Sequence, residues 1–559
     1  MENELIMQNY EFGILIQHRW ILLYSNMQFD YIIIGAGSAG CVIANRLSAN
    51  PAVSVLLLEA GDPDKKMEIH IPGAYGNLHG TEVDWKFWSE PQEYVDNRRI
   101  YLPRGKVLGG SSSTNAMAYV RGSRFDYDEW AALGNKGWGY DDVLPYFKRS
   151  EHNEDLDGEY HGKDGPLHVA YAKEPSGLGR EFIKACVQCG IRENGDCNGA
   201  EQPGAHMLQF NIKNGARQSA AAAFLKPVLH RKNLTVKTDC QVSRILLEGN
   251  EARTVEFITT HGITARASCR CEIILCGGAF QSPQILMLSG IGDREELQKA
   301  GIEVHHHLPG VGKNLQEHAW SGVSCYSDVP TGNTVLRPFP KFKAILQHVF
   351  FKTGPLTNSP LEANAFYKTD PALDRPDLQF HFAPLGNKPD YSTDLYKISS
   401  FPKTDGFSVL SIVIRPRSRG YVALKHKDPL AAPLIQPNLL SDPQDMEVLL
   451  KGLRKAIEIV SAPALKAFSS KGICLPHAPF DDESLIAHIR KSLETLYHPV
   501  GTCKMGNDEM AVVDDQLRVH GIRNLRVADG SIMPTIVSGN TNAACVMIGE
   551  KASDLILAS

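Results

Sequence analysis

With 559 residues the chain exceeds one ordinary hydrophobic core and corresponds to roughly two to four units at ~150 residues per domain. Its 43% hydrophobic and 22% charged residues, with 48 Gly and 32 Pro, describe a globular protein rich in turns and exclude disordered and fibrous classes. A formal net charge of -5 provides no basic footprint, so no nucleic acid is expected as a partner.

Residues 1–26 carry acidic residues where a secretory signal would be basic, and Gln17, His18 and Arg19 interrupt their apolar run. The segment reads as neither a signal nor a span. Met27 directly precedes the first strand-like run, so residues 1–26 are expected to be an N-terminal extension or a mis-assigned start. Twelve cysteines are too dilute for a disulfide framework and are expected to be reduced thiols in a cytoplasmic chain. Cys186 and Cys189 lie in a helical pattern, Cys269 and Cys271 in a strand-like one; both pairs are expected to be small buried side chains.

Phe29 to Gly61, FDYIIIGAGSAGCVIANRLSANPAVSVLLLEAG, reads as strand, Gly-rich turn, helix, strand. Gly35, Gly37 and Gly40 form GxGxxG around Ser38 and Ala39. The first glycine permits the turn, the second lets backbone approach a pyrophosphate, and the third allows close helix–strand packing. The helix N-terminus favours the phosphate charge. Glu59, followed by Ala60, ends the second strand where a carboxylate accepts adenosine ribose hydroxyls and disfavours a phosphorylated ribose. These residues alone leave NAD and FAD open. Arg104 to Asn115, RGKVLGGSSSTN, is a second cluster of glycines and hydroxyls, suited to a flat polar ring, a phosphate or simply a solvent loop.

Further along, residues 377–384 and 407–425 alternate as short strands of a mostly antiparallel sheet, and residues 445–463 and 481–496 read as helices opened by acidic residues. His305, His306 and His307 are adjacent, but neighbouring side chains of a strand point to opposite faces, so no metal site is expected there. Leu496 to Gly506, LYHPVGTCKMG, places His498, Cys503 and Met505 close together. Copper would need a second histidine and the Cys, His, Met order, both missing. A neutral imidazole suits a general base near neutral pH, although a histidine satisfied by backbone in an apolar core is equally compatible with the residues alone.

In order along the chain, GAGSAG with LLLEAG, RGKVLGGSSSTNAMAYVRG, ILCGGAFQSPQILMLSGIG, LPGVGKNLQEH, YHPVGTCKMG and VADGSIMPTIVSGNTNAACVMIGEKASD resemble the glucose-methanol-choline (GMC) flavoprotein oxidoreductases. Within that family the chain most resembles bacterial choline dehydrogenases and aliphatic alcohol dehydrogenases. The resemblance implies an α/β fold with a Rossmann-like FAD-binding domain (27–155, 210–325 and 500–559) and a discontinuous α+β substrate-binding domain on a mostly antiparallel sheet (156–209 and 326–499). FAD rather than NAD is then the cofactor.

The resemblance further places His498 and Asn540 as the catalytic pair facing the flavin. His498 takes the hydroxyl proton of a primary alcohol, aliphatic or choline-like, as hydride passes to flavin N5, and Asn540 holds the substrate oxygen. Asn542 is the less favoured partner. Arg104, Gly109, Gly110, Asn115, Ala116, Val242, Gly277, Asp529, Gly530 and Thr541 are expected along the cofactor. Thr114 stands where covalently flavinylated choline oxidases have histidine, which implies non-covalent FAD. Glu362 is expected to be structural or helix-capping. Electrons would leave to a quinone, the respiratory chain or O2, and the analogy extends to peripheral contact with the inner membrane. The same family contains lyases and photodecarboxylases; Ile414 before Arg415 stands where the decarboxylases have cysteine.

Overall fold

The computed structural model describes residues 27–559, so the reading of residues 1–26 lies outside the described residues. The run MQFDYIII forms the strand Met27–Ile34, whose three terminal isoleucines are buried. It sits at the centre of a seven-stranded sheet in the order 234–237, 55–58, 27–34, 264–275, 251–259, 240–248, with 525–527 also pairing with 264–275. The pairings on either side of Met27–Ile34 are parallel, whereas the long hairpin Cys240–Thr259 joins antiparallel. Parallel strands need crossovers and are covered on both faces. The helix Ser38–Leu47 supplies one cover, and the last helix, Asn542–Leu557, packs on it through Gly549, where a Cβ would come 2.8 Å from the Ala39 carbonyl oxygen.

A second seven-stranded sheet runs in the order 473–475, 319–326, 406–413, 378–383, 363–367, 204–207, with 494–495 also pairing with 319–326. Every pairing in it is antiparallel. The alternating runs expected at 377–384 and 407–425 are the strands Leu378–Ala383, Gly406–Val413 and Tyr421–Ala423. Alternation divides the strand Leu378–Ala383: Phe382 stacks on Phe182 of the helix Leu178–Gln188, and His381 on the opposite face lines the cavity described below. The helix Pro443–Ser461 covers the sheet, its start capped by Asp442.

Three expectations change in the structure. The helix read at 481–496 spans only Asp482–Ser492, because Glu494 and Thr495 leave it to pair with Trp320 and Ala319. The strand Ala319–Tyr326, grouped by sequence with the first unit, hydrogen-bonds within the second sheet. Cys271 is exposed although Cys269 is buried, since the two point to opposite faces of one strand. His306–His307 pairs with Ile291–Gly292, and no three-residue His, Cys, Asp or Glu metal cluster occurs among the described residues.

Candidate active site

Between the carboxyl ends of the first sheet's parallel strands and the face of the second lies one deep cavity. Such a crevice is where open α/β sheets bind ligands. Of the residues named from sequence, Gly35, Gly37, Ser38, Ala39, Glu59, Ala60, Arg104, Gly110, Thr114, Asn115, Ala116, Val242, Gly277, Asp529, Gly530, Asn540, Thr541 and His498 line it. Gly40 and Gly109 do not. A Cβ on Gly40 would come 2.0 Å from the Gly35 carbonyl oxygen, so Gly40 holds helix against turn, and the Gly109 amide donates to the Ala36 carbonyl at 2.8 Å. That bond docks the second glycine cluster on the first, and Gly110 and Gly37 meet backbone to backbone.

The cradle suits an extended dinucleotide. Gly37 presents bare backbone, with only the Cys276 carbonyl oxygen, at 3.9 Å, near a built Cβ. Glu59 is held by the Ala36 and Gly61 amides at 2.8 and 2.9 Å, and burial raises its carboxyl to about 7. Asp529 accepts from the Gly278 amide and the Ser282 hydroxyl, and also from the Ser531 amide, so it organises two helix starts at the cavity wall. Ser38 donates to Asn542 at 2.7 Å, tying the first and last helices together at their N-termini. Asn542 is thereby occupied.

Asn540 instead meets His498, its amide nitrogen 3.3 Å from Nε2. The histidine is delivered by local strand pairing. Gln316 and Val500 exchange both backbone bonds and the Leu496 amide donates to the His318 carbonyl, which sets His318 directly opposite His498. Arg104 donates to the Tyr497 carbonyl, and Tyr497 adopts a left-handed φ of 65°, a costly conformation for an aromatic residue that aims the next side chain. The His498 amide donates to Glu317 at 2.6 Å, and burial pushes that carboxyl up to about 8 despite nearby Arg104.

The hydrogen bonds also fix where protons sit. His318 Nε2 lies 3.1 Å from the Ile414 carbonyl, which can only accept, so Nε2 carries the proton and Nδ1 is a lone pair. His498 Nδ1 is 3.0 Å from that lone pair and must donate to it. His498 Nε2 is therefore unprotonated and faces the Asn540 amide. Burial, then the neighbouring His318, His381 and Arg104, hold the His498 pKa well below the ordinary histidine value. His498 is thus a neutral imidazole whose Nε2 lone pair faces the Asn540 amide.

Sequence reasoning missed His318, Glu317 and His381. The His381 ring is fully buried, neither nitrogen has a partner among the described residues, and burial lowers its pKa to about 3. His318 was visible only as the last residue of LPGVGKNLQEH, with no signal pointing to His498. Cys503 and Met505 are buried in the main core and do not line the cavity. Glu362 does not line it either: its carboxylate accepts from the Ser176 amide and hydroxyl and from the Gly179 amide, capping the helix Leu178–Gln188.

Two GMC oxidoreductase family models match the chain, over residues 29–320 and 416–549, and the chain belongs to that family of FAD-dependent oxidoreductases. It is 41% identical over 534 residues to the alcohol dehydrogenase (acceptor) of Pseudomonas putida, covering 95% of this chain and 96% of the relative. It is 40% identical over 549 residues to mitochondrial choline dehydrogenase of Homo sapiens, covering 95% and 90%. The crystal structure of pyridoxine 4-oxidase from Mesorbium loti superposes with a TM-score of 0.85 at 32% identity, covering 95% and 99%.

Proposed function

We infer that the protein oxidises a neutral, largely apolar primary alcohol to the aldehyde, with His498 as the base that takes the hydroxyl proton and Asn540 as the donor that holds the alcohol oxygen. The observation that carries this reading is the fixed tautomer of His498, whose unprotonated Nε2 lies at the cavity wall 3.3 Å from the Asn540 amide, a contact that an alcohol hydroxyl replaces by donating to Nε2 and accepting from Asn540. FAD, when bound along the glycine clusters and Glu59, supplies the two-electron acceptor for the carbinol hydride. Thr114 offers no side chain of the type that tethers a flavin covalently, so acid precipitation of the holoenzyme should release the cofactor.

The cavity wall supports the choice of alcohol. Its second-sheet side is lined by Trp320, Leu361, Leu385, Leu395, Phe401 and Leu410, and among the described residues the only carboxylates in the lining are Glu59 and Asp529, both already hydrogen-bonded on the first-sheet side. A quaternary ammonium favours aromatic faces with a nearby negative charge, and the substrate side provides no such charge. Anaerobic mixing of holoenzyme with straight-chain primary alcohols and with choline, followed by flavin absorbance, tests the reading: bleaching by the alcohols at millimolar concentration is expected. Bleaching by choline alone would overturn the substrate assignment, and bleaching by no alcohol would overturn the activity. Electrons then leave to an acceptor other than a nicotinamide.

A further inference from the structure

The helix Pro338–Phe351 is built inside out. It buries Ala344 and His348 against the protein and exposes Phe339, Phe342 and Phe350 by 77%, 59% and 70%. A helix settled in water turns its apolar stripe to the core. At ~100° per residue, Ile345, Val349, Phe342, Leu346, Phe339 and Phe350 fall within an arc of roughly 140° opposite the buried pair. Lys341 and Lys343 stand on the two borders of that arc, both exposed and without an ion pair among the described residues. The helix contains no acidic residue, and Lys352 follows its C-terminus, while Arg337 before it is paired with Asp405.

We propose that this helix docks the protein on an anionic lipid bilayer, lying in the interface with its phenylalanines among the acyl chains. An apolar arc bordered by lysines is the pattern of an interfacial helix, the lysine stems running along the apolar surface while their ammonium groups reach lipid phosphates. Fourteen residues are too few to cross a bilayer, which takes about 20, and no described helix is long and apolar enough to do so. A second copy of the chain is a poorer occupant, because a two-fold pairing of this helix would bring the same lysines together.

The position of the helix links docking to the cavity. It packs on the turn Pro355–Thr357, which packs on Pro72–Asn77, the turn that contributes Tyr75 to the cavity lining, while Pro360 and Leu361 line the cavity directly. Docking therefore sets the cavity rim near the membrane, where apolar alcohols and apolar electron acceptors concentrate; this last consequence rests on the function proposed above.

The test is flotation of full-length holoenzyme with vesicles of 30% phosphatidylglycerol in phosphatidylethanolamine, and with pure phosphatidylcholine, read as bound protein without any turnover assay. Wild-type protein should float with the anionic vesicles. The exposed-site variant Phe339→Ser, Phe342→Ser, Phe350→Ser should keep its flavin spectrum and bind at least tenfold more weakly. Lys341→Gln and Lys343→Gln should each weaken binding to anionic vesicles by about fivefold and leave phosphatidylcholine binding unchanged. Absence of wild-type binding, or undiminished binding by the triple serine variant, would overturn the proposal. So would self-association in sedimentation that the serine variant abolishes without any vesicle binding. A protein that floats yet oxidises no alcohol would leave docking intact and refute only the function.

Discussion

Replacing His318 with Phe removes the acceptor of the His498 Nδ1 proton while keeping a ring of similar size. In the wild type, that bond selects the tautomer with a free Nε2, because the opposite tautomer would set two lone pairs against each other 3.0 Å apart in a fully buried site. A buried donor left without a partner costs about 1–3 kcal/mol, which at ~1.4 kcal/mol per factor of ten corresponds to a tautomer bias of roughly 5- to 150-fold. His318→Phe should therefore slow anaerobic flavin reduction by about 5- to 150-fold, within or below the ~10²- to 10⁴-fold that a general base contributes. His318→Asn keeps an acceptor oxygen near the Nδ1 position and should recover most of the rate, although it gives up the bond to Ile414. Stopped-flow reduction of both variants at saturating alcohol, with flavin content matched, reads the effect. A His318→Phe enzyme reduced at the wild-type rate, or a His318→Asn enzyme as slow as His318→Phe, would refute the tautomer argument.

Three further outcomes are expected. Gly37→Ala should fold but lose FAD, since its Cβ meets no protein atom closer than 3.9 Å yet projects into the cradle, whereas Gly40→Ala should destabilise the fold itself through its 2.0 Å clash with Gly35; flavin content beside thermal melting separates the two. Glu362→Gln should lower unfolding stability by about 1.5–3 kcal/mol, the worth of hydrogen bonds to a charged group, and leave KM for alcohols unchanged; a selective loss of affinity for a cationic alcohol would contradict its capping role. Because the His498 pKa lies below the ordinary value, the base stays neutral as pH falls through 6.5, so the flavin reduction rate should hold level there and decline only at lower pH. An inflection near 6.5 that persists in a Glu317→Gln variant would show an imidazole in a solvent-like setting, since Glu317 and Glu59 titrate at about 8 and 7.

The first βαβ unit was legible because the chemistry is local: an apolar run, three glycines at fixed offsets and a carboxylate at the next strand end lie within Phe29–Gly61. Gly109 shows the limit of that reading, since a glycine required for contact with backbone looks the same in sequence as one required for contact with a ligand, whereas Gly40 has the packing role that its place in GxGxxG implies. The pairing of His498 with Asn540 could be named only through resemblance, as 42 positions separate the two. His318 was out of reach because its place opposite His498 follows from pairing between stretches 180 residues apart. His381 sits in a strand whose alternation was read correctly, but periodicity does not say which face meets a cavity. The helix Pro338–Phe351 would be assigned from composition to a buried position; only coordinates reveal that its apolar arc faces outward.

Replacement of His498 by Ala tests the central claim most directly. Holoenzyme of this variant, mixed anaerobically with an alcohol that bleaches the wild type, should retain FAD and reduce it about 10²- to 10⁴-fold more slowly. Flavin reduction at the wild-type rate, with the cofactor still bound, would contradict the assignment of His498 as the base.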